Sequence, residues 1–420
     1  MTTRHLIALA LICAGIGMQP LWSQNPDARS FRVPEEERIL REATDVLPDS
    51  LHDRILESNP RIRLAYQTYL RHMAGSRTGL TPPDPSVGVA YLTGDPRTLG
   101  TRVDVSLSQE FDFPTAYIHR SRLAGLEETR AGLEYIQVRQ EVLLQARLLW
   151  LEGVYLRQNQ GFLQQRLGET RAMETALRSR AEAGDSDPLL AAEAALQRAA
   201  AEGEWADLEL RIRNLSLGWA ELLGSGQEDA LPPWPEDALL PQSRAPGLDS
   251  LLTAYGNSPE RLLGQIRVEE NEKNLDLVRS LRLPSFSAGY FSESVNREAF
   301  RGLEVGMSLP LWEDRNKARE AEFGISEAGA ALAHLQSEQE KEIRQLCNRW
   351  SALEERIATL EEALDGIRSL NLLGRLLEAG EISPSEYFYR SEFHYRNRQL
   401  VLDYRLEQLQ TEARLRRIYD

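Results

Sequence analysis

The chain carries one structural unit written twice. Asn59-Pro60 near the start returns as Ser258-Pro259, and Pro85-Ser86 followed by Tyr91 returns as Pro284-Ser285 followed by Tyr290, at a constant offset of 199 residues. Farther on, Ala183-Gly184-Asp185-Ser186-Asp187-Pro188 is answered by Ala379-Gly380-Glu381-Ile382-Ser383-Pro384 at an offset of 196. Landmarks in one order at nearly one offset predict two like halves, each folding on the same plan. A Pro-rich run, Leu231 to Pro246, separates them and reads as a connector. The expected organisation is a signal peptide over 1–23, a first repeat over 24–230, a connector over 231–247 and a second repeat over 248–420.

Each half has the same coarse grammar. A helix (about 46–76, and 248–281) leads to two strand-like segments (about 85–93 and 101–111, and 284–292 and 301–311). A very long helix follows (about 115–182, and 315–379), then a Gly-containing turn and a shorter helix (about 188–223, and 384–418). In the second long helix, Ile325, Ala328, Leu332, Leu335, Gln339, Ile343, Leu346, Trp350, Leu353, Ile357, Leu360, Leu364 and Ile367 are spaced mostly three and four apart. That is coiled-coil spacing, with one seam buried and the rest wet. The fold class expected is mainly α with a small β part, and two short helices end to end match one long helix.

The strands carry the sharper signal. Over 102–111 the odd positions are Val103, Val105, Leu107, Gln109 and Phe111, against Arg102, Asp104, Ser106, Ser108 and Glu110. Over 302–311 Leu303, Val305, Met307, Leu309 and Leu311 alternate with Gly302, Glu304, Gly306, Ser308 and Pro310. Segments of about ten residues with period two suit a tilted membrane-spanning strand, and equally a soluble hairpin with one face on the helices. On the membrane reading, Val105, Leu107, Val305 and Met307 face lipid while Arg102, Asp104, Ser106, Glu304 and Ser308 face a lumen. Four strands are half of the smallest closed membrane barrel, so the chain must then associate: an open edge in lipid leaves backbone groups unpaired. Eight strands from a dimer enclose little but side chains, whereas twelve from a trimer leave a lumen.

Charge and composition narrow the classes. With 49 Lys and Arg against 64 Asp and Glu the net charge is -15, which disfavours nucleic acid because phosphate binding needs a basic face. Residues 1–23 have the basic start, apolar stretch (Leu6 to Met18) and polar end of a secretory signal, too short to span a bilayer. Ile12 before Cys13 argues against a lipid anchor there. Beyond it no long apolar run occurs, and a mean hydropathy of -0.42 excludes a helical membrane protein but not a β-barrel. Only Cys347 remains in the mature chain, so no internal disulfide forms.

The duplicated unit behind a signal segment resembles the TolC-like family of bacterial outer-membrane efflux proteins across nearly the whole mature chain. The most specific pieces are Pro284 to Tyr290, Val305-Gly306-Met307-Ser308-Leu309-Pro310-Leu311-Trp312 as the strand-to-helix phrase, and the two Ala-Gly-x-x-x-Pro turns, with Asn316 and Ala318 leading into the long helix. The first copy departs: Glu110 stands where Pro310 leads one to expect proline, and Asp112-Phe113-Pro114 makes the bend. The resemblance implies a homotrimer with a twelve-stranded barrel in the outer membrane, four strands per chain, above a trimeric α-helical barrel of twelve helices in the periplasm. It also implies a periplasmic adaptor (membrane-fusion) protein and an inner-membrane pump as partners. The second half is most similar to the branch that includes heavy-metal efflux channels, although Met (5) and His (6) are few and unclustered.

No enzyme constellation emerges: His-Glu-x-x-His, Gly-x-x-x-x-Gly-Lys, Gly-x-Ser-x-Gly and Cys-x-x-Cys are all missing, and no catalytic, cofactor or metal residue is expected. Gly224-Ser225-Gly226 reads as a helix end, Cys347 as an inert buried thiol, and His334 and His394 as ordinary packed or solvated histidines. At the two turns, Glu182, Asp185 and Asp187, and Glu378 and Glu381, form acidic clusters. Asp187 before Pro188 and Ser383 before Pro384 are suited to capping the next helix, and Gly184 and Gly380 to ending the previous one. In a trimer the same turns place negative charge around a pore mouth. If the tip closes at rest, Glu378, Glu381 and Glu386 with Arg375 and Arg390 are the candidate contacts, against a reading as solvated helix charges. The function expected is a passive export duct from periplasm to exterior; the rival is an exported coiled-coil scaffold without channel activity.

Overall fold

The structure is a computed structural model that describes residues 47–96, 100–225, 232, 234, 239–244, 247–295, 298–310, 316–366 and 370–419. The expected signal segment with Cys13, the connector's Pro233, Pro235 and Pro246, Gly226, the phrase end Leu311 and Trp312, and the seam residue Ile367 lie outside the described residues.

Four helices stand where two were expected before the strands: α1 (Asp49–Ser58) and α2 (Pro60–Gly75) in the first half, and below them in sequence α5 (Leu248–Tyr255) and α6 (Pro259–Ser280) in the second. Each pair breaks at the duplicated X-Pro step. Proline excludes the helical conformation from the residue before it, so Asn59 (ψ 125°) and Ser258 (ψ 145°) are extended. Both then cap the new helix. Asn59 Oδ1 accepts from the backbone N–H of Arg61 (2.9 Å) and Ile62 (3.1 Å), and Ser258 accepts from that of Arg261.

Strands β1 (Ser86–Thr93), β2 (Thr101–Phe111), β3 (Ser285–Val295) and β4 (Glu298–Ser308) form one antiparallel sheet in that order. The central pairing, β2 with β3, sews the two halves together. β1 and β4 are left as edges. All four connections to helices leave from one end of the sheet and both hairpin connections from the other. The second hairpin departs from the expected bounds: pairing continues through Glu293↔Phe300, Ser294↔Ala299 and Val295↔Glu298, where alternation had faded. Ladder bonds depend on backbone alone, so they outlast the apolar pattern. At its other end β4 stops at Ser308, short of Pro310, which has no N–H to donate.

Helix α3 (Pro114–Glu182) runs 69 residues without a break, about 100 Å at 1.5 Å per residue. It returns through α4 (Pro188–Leu223). In the second half the counterparts are α7 (Lys317–Gly366), α8 (Leu370–Glu378) and α9 (Pro384–Arg416), with 367–369 outside the described residues. The described seam positions of α7 are all buried or half-buried, and Ala328, Ile343, Leu353 and Ile357 are buried. The three-four spacing therefore marked the packed face.

Where the halves meet, the core holds Trp219 and Leu151 with no exposure, and the connector's Trp234 packs on Trp150 (5.8 Å between ring centres) and Trp219 (6.4 Å). A Cβ on Gly153 would lie 2.1 Å from the Trp234 ring, so only glycine admits it. On the other side, the buried Glu412 accepts from Ser243 Oγ (2.5 Å) and the Arg244 N–H (3.0 Å), and Trp350 Nε1 donates to Ser243 Oγ (2.7 Å). One strap thus holds both halves. We expect Gly153→Leu to displace Trp234 and cost about 1–3 kcal/mol by overpacking, read as a lower midpoint of thermal unfolding.

Candidate functional site: sheet faces, helix tip and the seam between halves

Register assigns every strand residue to a face. One face collects Val87, Val89 and Tyr91 of β1, Val103, Val105, Leu107 and Phe111 of β2, Phe286, Ala288 and Tyr290 of β3, and Leu303, Val305 and Met307 of β4. The expected apolar set lies together there. It is bare: Leu303 is 87% and Val305 81% exposed, so no described helix covers this face. A soluble hairpin packed on the helices does not have that exposure. Over the same rows the opposite face carries Ser106, Ser108, Glu304, Gly306 and Ser308, and toward the hairpin end Arg102 and Asp104. Arg102 bonds Asp104 (2.9 Å) and Glu293 (3.1 Å), a charge cluster with no place in hydrocarbon. Tyr290 falls on the apolar face, whereas Phe291 falls on the polar one.

The two turns at the far end of the helices are the same motif. Gly184 (φ 80°) and Gly380 (φ 72°) adopt the left-handed conformation. Around them the N–H of Asp185 donates to the carbonyl of Arg180 and that of Gly184 to Ala181, while Glu381 donates to Leu376 and Gly380 to Leu377. These crossed bonds satisfy carbonyls left open by the ending helix. Asp187 accepts from the Leu189 N–H (2.9 Å) and Ser383 from that of Glu386 (3.1 Å), with Pro188 and Pro384 at the first helical position. Glu182, Asp185, Glu378 and Glu381 are exposed beside them. Of the expected tip contacts, only Glu386 and Arg390, one turn apart on α9, pair among the described residues. Among the described residues Arg375 has no carboxylate within ion-pair reach. A pair inside one helix cannot hold two helices together.

The charged contacts that cross between the halves lie farther up. Arg166 of α3, whose side chain is 7% exposed, binds Glu204 of α4 (2.7 Å) and Glu392 of α9 (2.6 Å) and lies over the Tyr395 ring. Tyr395 donates to Glu169. Nearer the core, Tyr155 donates to Asp403 (2.7 Å), Gln399 bonds both, and Arg211 stacks on the Tyr155 ring. At the tip itself Ser385 donates to Glu193 (3.2 Å) beside a small apolar cluster of Leu177, Ala194 and Phe388. Burial, then the bond to Asp403, pushes the Tyr155 hydroxyl up to about 12, and burial with Glu169 raises Tyr395 too. No local motif marks these residues, because the pairs Tyr155–Asp403, Arg166–Glu392 and Glu169–Tyr395 are more than 200 positions apart in sequence.

Both tyrosines are held neutral by the fold. A raised folded pKa gives stability that is full below the unfolded value of about 10 and lost as pH rises through the folded one. The seam should weaken between pH 10 and 12. Thermal midpoints measured across that window should fall in the native protein and fall less in Tyr155→Phe.

No protein-family model matches the chain, and no curated protein matches it in sequence. Solved structures do. The outer-membrane protein VceC of Vibrio cholerae superposes with a TM-score of 0.74 at 15% identity, over 88% of this chain and 95% of that one. CusC, described for the conformational changes that accompany its folding and transmembrane channel formation, gives 0.73 at 14% identity over 88% and 91%. The outer-membrane channel MtrE of Neisseria gonorrhoeae, in its open state, gives 0.69 at 15% identity over 88% of each chain. With a bare apolar sheet face at one end, a helix of about 100 Å below it and near end-to-end superposition on these channels, the chain has the TolC-like outer-membrane channel fold that its duplicated sequence resembles.

Proposed function

We propose that three copies of this chain form the outer-membrane channel of a tripartite efflux system, a passive, non-enzymatic duct from periplasm to exterior. The observation that carries this reading is the four-stranded sheet with two unpaired edges and one uncovered apolar face. Joining β4 of one copy to β1 of the next satisfies both edges, and twelve strands enclose a lumen lined by Ser106, Ser108, Glu304 and Ser308. An exported scaffold has no use for such a face, which in water is an aggregation liability. A heat-modifiable trimer extracted by detergent from the outer-membrane fraction is the expected result; a monomer in the soluble periplasm would sink the reading.

In this assembly the turns at Gly184 and Gly380 point into the periplasm, where an adaptor meets them and an inner-membrane pump supplies energy. The acidic residues there, Glu182, Asp185, Asp187, Glu378 and Glu381, form a negative mouth that favours cations. Closure at rest rests on the contacts between halves, Arg166 with Glu392 and Tyr395 with Glu169, which must part if α8 and α9 swing away from α3. Arg375 and Arg390 then act across copies or as surface charges. We expect Arg166→Ala to raise single-channel conductance in planar bilayers, and Glu378→Gln with Glu381→Gln to lower cation preference. Wild-type values in all of these variants would remove both the closure and the acidic-mouth assignments.

A further inference from the structure

Helix α4 carries two apolar seams, and the chain uses one. Ala194, Ala201, Leu208, Leu215 and Leu222 recur every seven residues and are buried, the three leucines in one cluster with Leu151, Tyr155 and Leu163 of α3. A second heptad set, Leu189, Leu196, Leu210 and Leu217 with Gly203 at the missing step, is 63%, 72%, 51% and 50% exposed at its leucines. Leu196, Leu210 and Leu217 each follow a buried seam residue by two positions, about 200° around the helix. The second seam therefore faces away from α3, and no described residue covers it. One exposed leucine is ordinary, whereas four on one heptad repeat make a packing surface.

A closed ring of helices needs such a member, because each helix packs on two neighbours about 150° apart around its axis in a ring of twelve. Toward the tip the chain's helices stand in the order α4, α3, α9, α7. Arg166 of α3 binds both α4 and α9, and Glu407 of α9 binds Arg349 of α7. The outer members are thus α4 and α7. On α7 the same two-residue step leads from the seam residues Leu346, Trp350, Leu353 and Ile357 to Asn348, Ala352, Glu355 and Thr359, all exposed. Heights also match: Arg211 of α4 bonds Glu152 and lies over Tyr155 of α3, Tyr155 bonds Asp403 of α9, and Glu407 one turn along α9 bonds Arg349. Rotation about an axis along the helices preserves height, so Leu210 and Leu217 of one copy stand level with Asn348 and Ala352 of the next.

Resting on the trimeric channel reading, we propose that α4 of each copy packs its leucine seam on the outer flank of the next copy's α7, with Leu210 and Leu217 on either side of Ala352. Large residues on one helix then enter the space left by small ones on the other. Arg213 beside Leu210 and Glu355 beside Ala352 are exposed, neither has an ion-pair partner among the described residues, and the joint brings them together. The occupant is a second copy because the same two edges are joined above. There α2 leads into β1 and α7 follows β4, the strands that close the barrel, and Leu64 on α2 and Phe323 on α7 are exposed two positions from buried Ile62 and Ala321.

Cross-linking reads the joint directly. In full-length protein carrying Cys13→Ser and Cys347→Ser, two double variants are made, Leu210→Cys with Ala352→Cys and Leu217→Cys with Asn348→Cys. Outer membranes are treated with a bismaleimide spanning about 8 Å, the distance between packed helix axes. Because α3 and α9 hold the two sites of one chain about 25 Å apart, a link forms only between chains. The joint predicts covalent trimers from the double variants and none from the single substitutions. A heat-modifiable trimer that both double variants leave unlinked would overturn the joint while leaving the channel reading in place. Covalent trimers from Leu210→Cys alone would show the leucine seams facing one another and overturn it, and a link to a different protein would give the seam to that partner and overturn it too. A chain that is not trimeric before treatment would overturn both readings.

Discussion

Replacing Val305 with Arg should cost about 2–4 kcal/mol and leave the trimer unassembled, because a guanidinium on the lipid face near the middle of the apolar band has neither water nor a counter-ion. Val305 lies between Leu303 and Met307 on β4, opposite Ala288, and no described residue shields it. Ser308→Arg places the same group three residues on, on the opposite face, and should assemble normally. Heat-modifiable mobility of the detergent-extracted protein reports both. Equal damage from the two substitutions would sink the face assignment, since a one-residue slip in register exchanges every side chain between lipid and lumen.

Gly380→Val should abolish export while the barrel still inserts. At φ 72° a β-branched side chain is strained by about 1–2 kcal/mol, and the turn must give up the two crossed hydrogen bonds that end α8. No atom lies near the position where the new Cβ would sit, so the loss comes from backbone conformation and not from a clash. Gly184→Val at φ 80° tests the twin turn. Substrate accumulation in cells and trimer mobility on gels separate the two effects. Unchanged export in both variants would show that neither turn is a docking element.

The long-range plan was legible because it was repeated. Two X-Pro caps, two Ala-Gly-x-x-x-Pro turns and two alternating hairpins each depend on a residue and its neighbours within about six positions, so their chemistry is local and can be read along the chain. The seam of α7 was legible for the same reason, as each seam residue is three or four from the next. What misled was length: one helix was expected over 46–76 and over 248–281, where the proline each contains splits it.

Only the tertiary structure decided which residues meet. Arg166 with Glu392, Tyr155 with Asp403 and Ser243 with Glu412 are contacts across more than 160 positions, set by how α3, α9 and the connector pack, and no spacing rule announces them. The candidate tip latch shows the contrast. Glu378, Glu381, Arg375 and Arg390 were near in sequence, yet among the described residues only Arg390 pairs, with Glu386 a turn away on its own helix. Local order, the alternation of faces and the ends of helices follow from bonded neighbours and period. Partners brought together across the duplication follow from packing two like halves against each other.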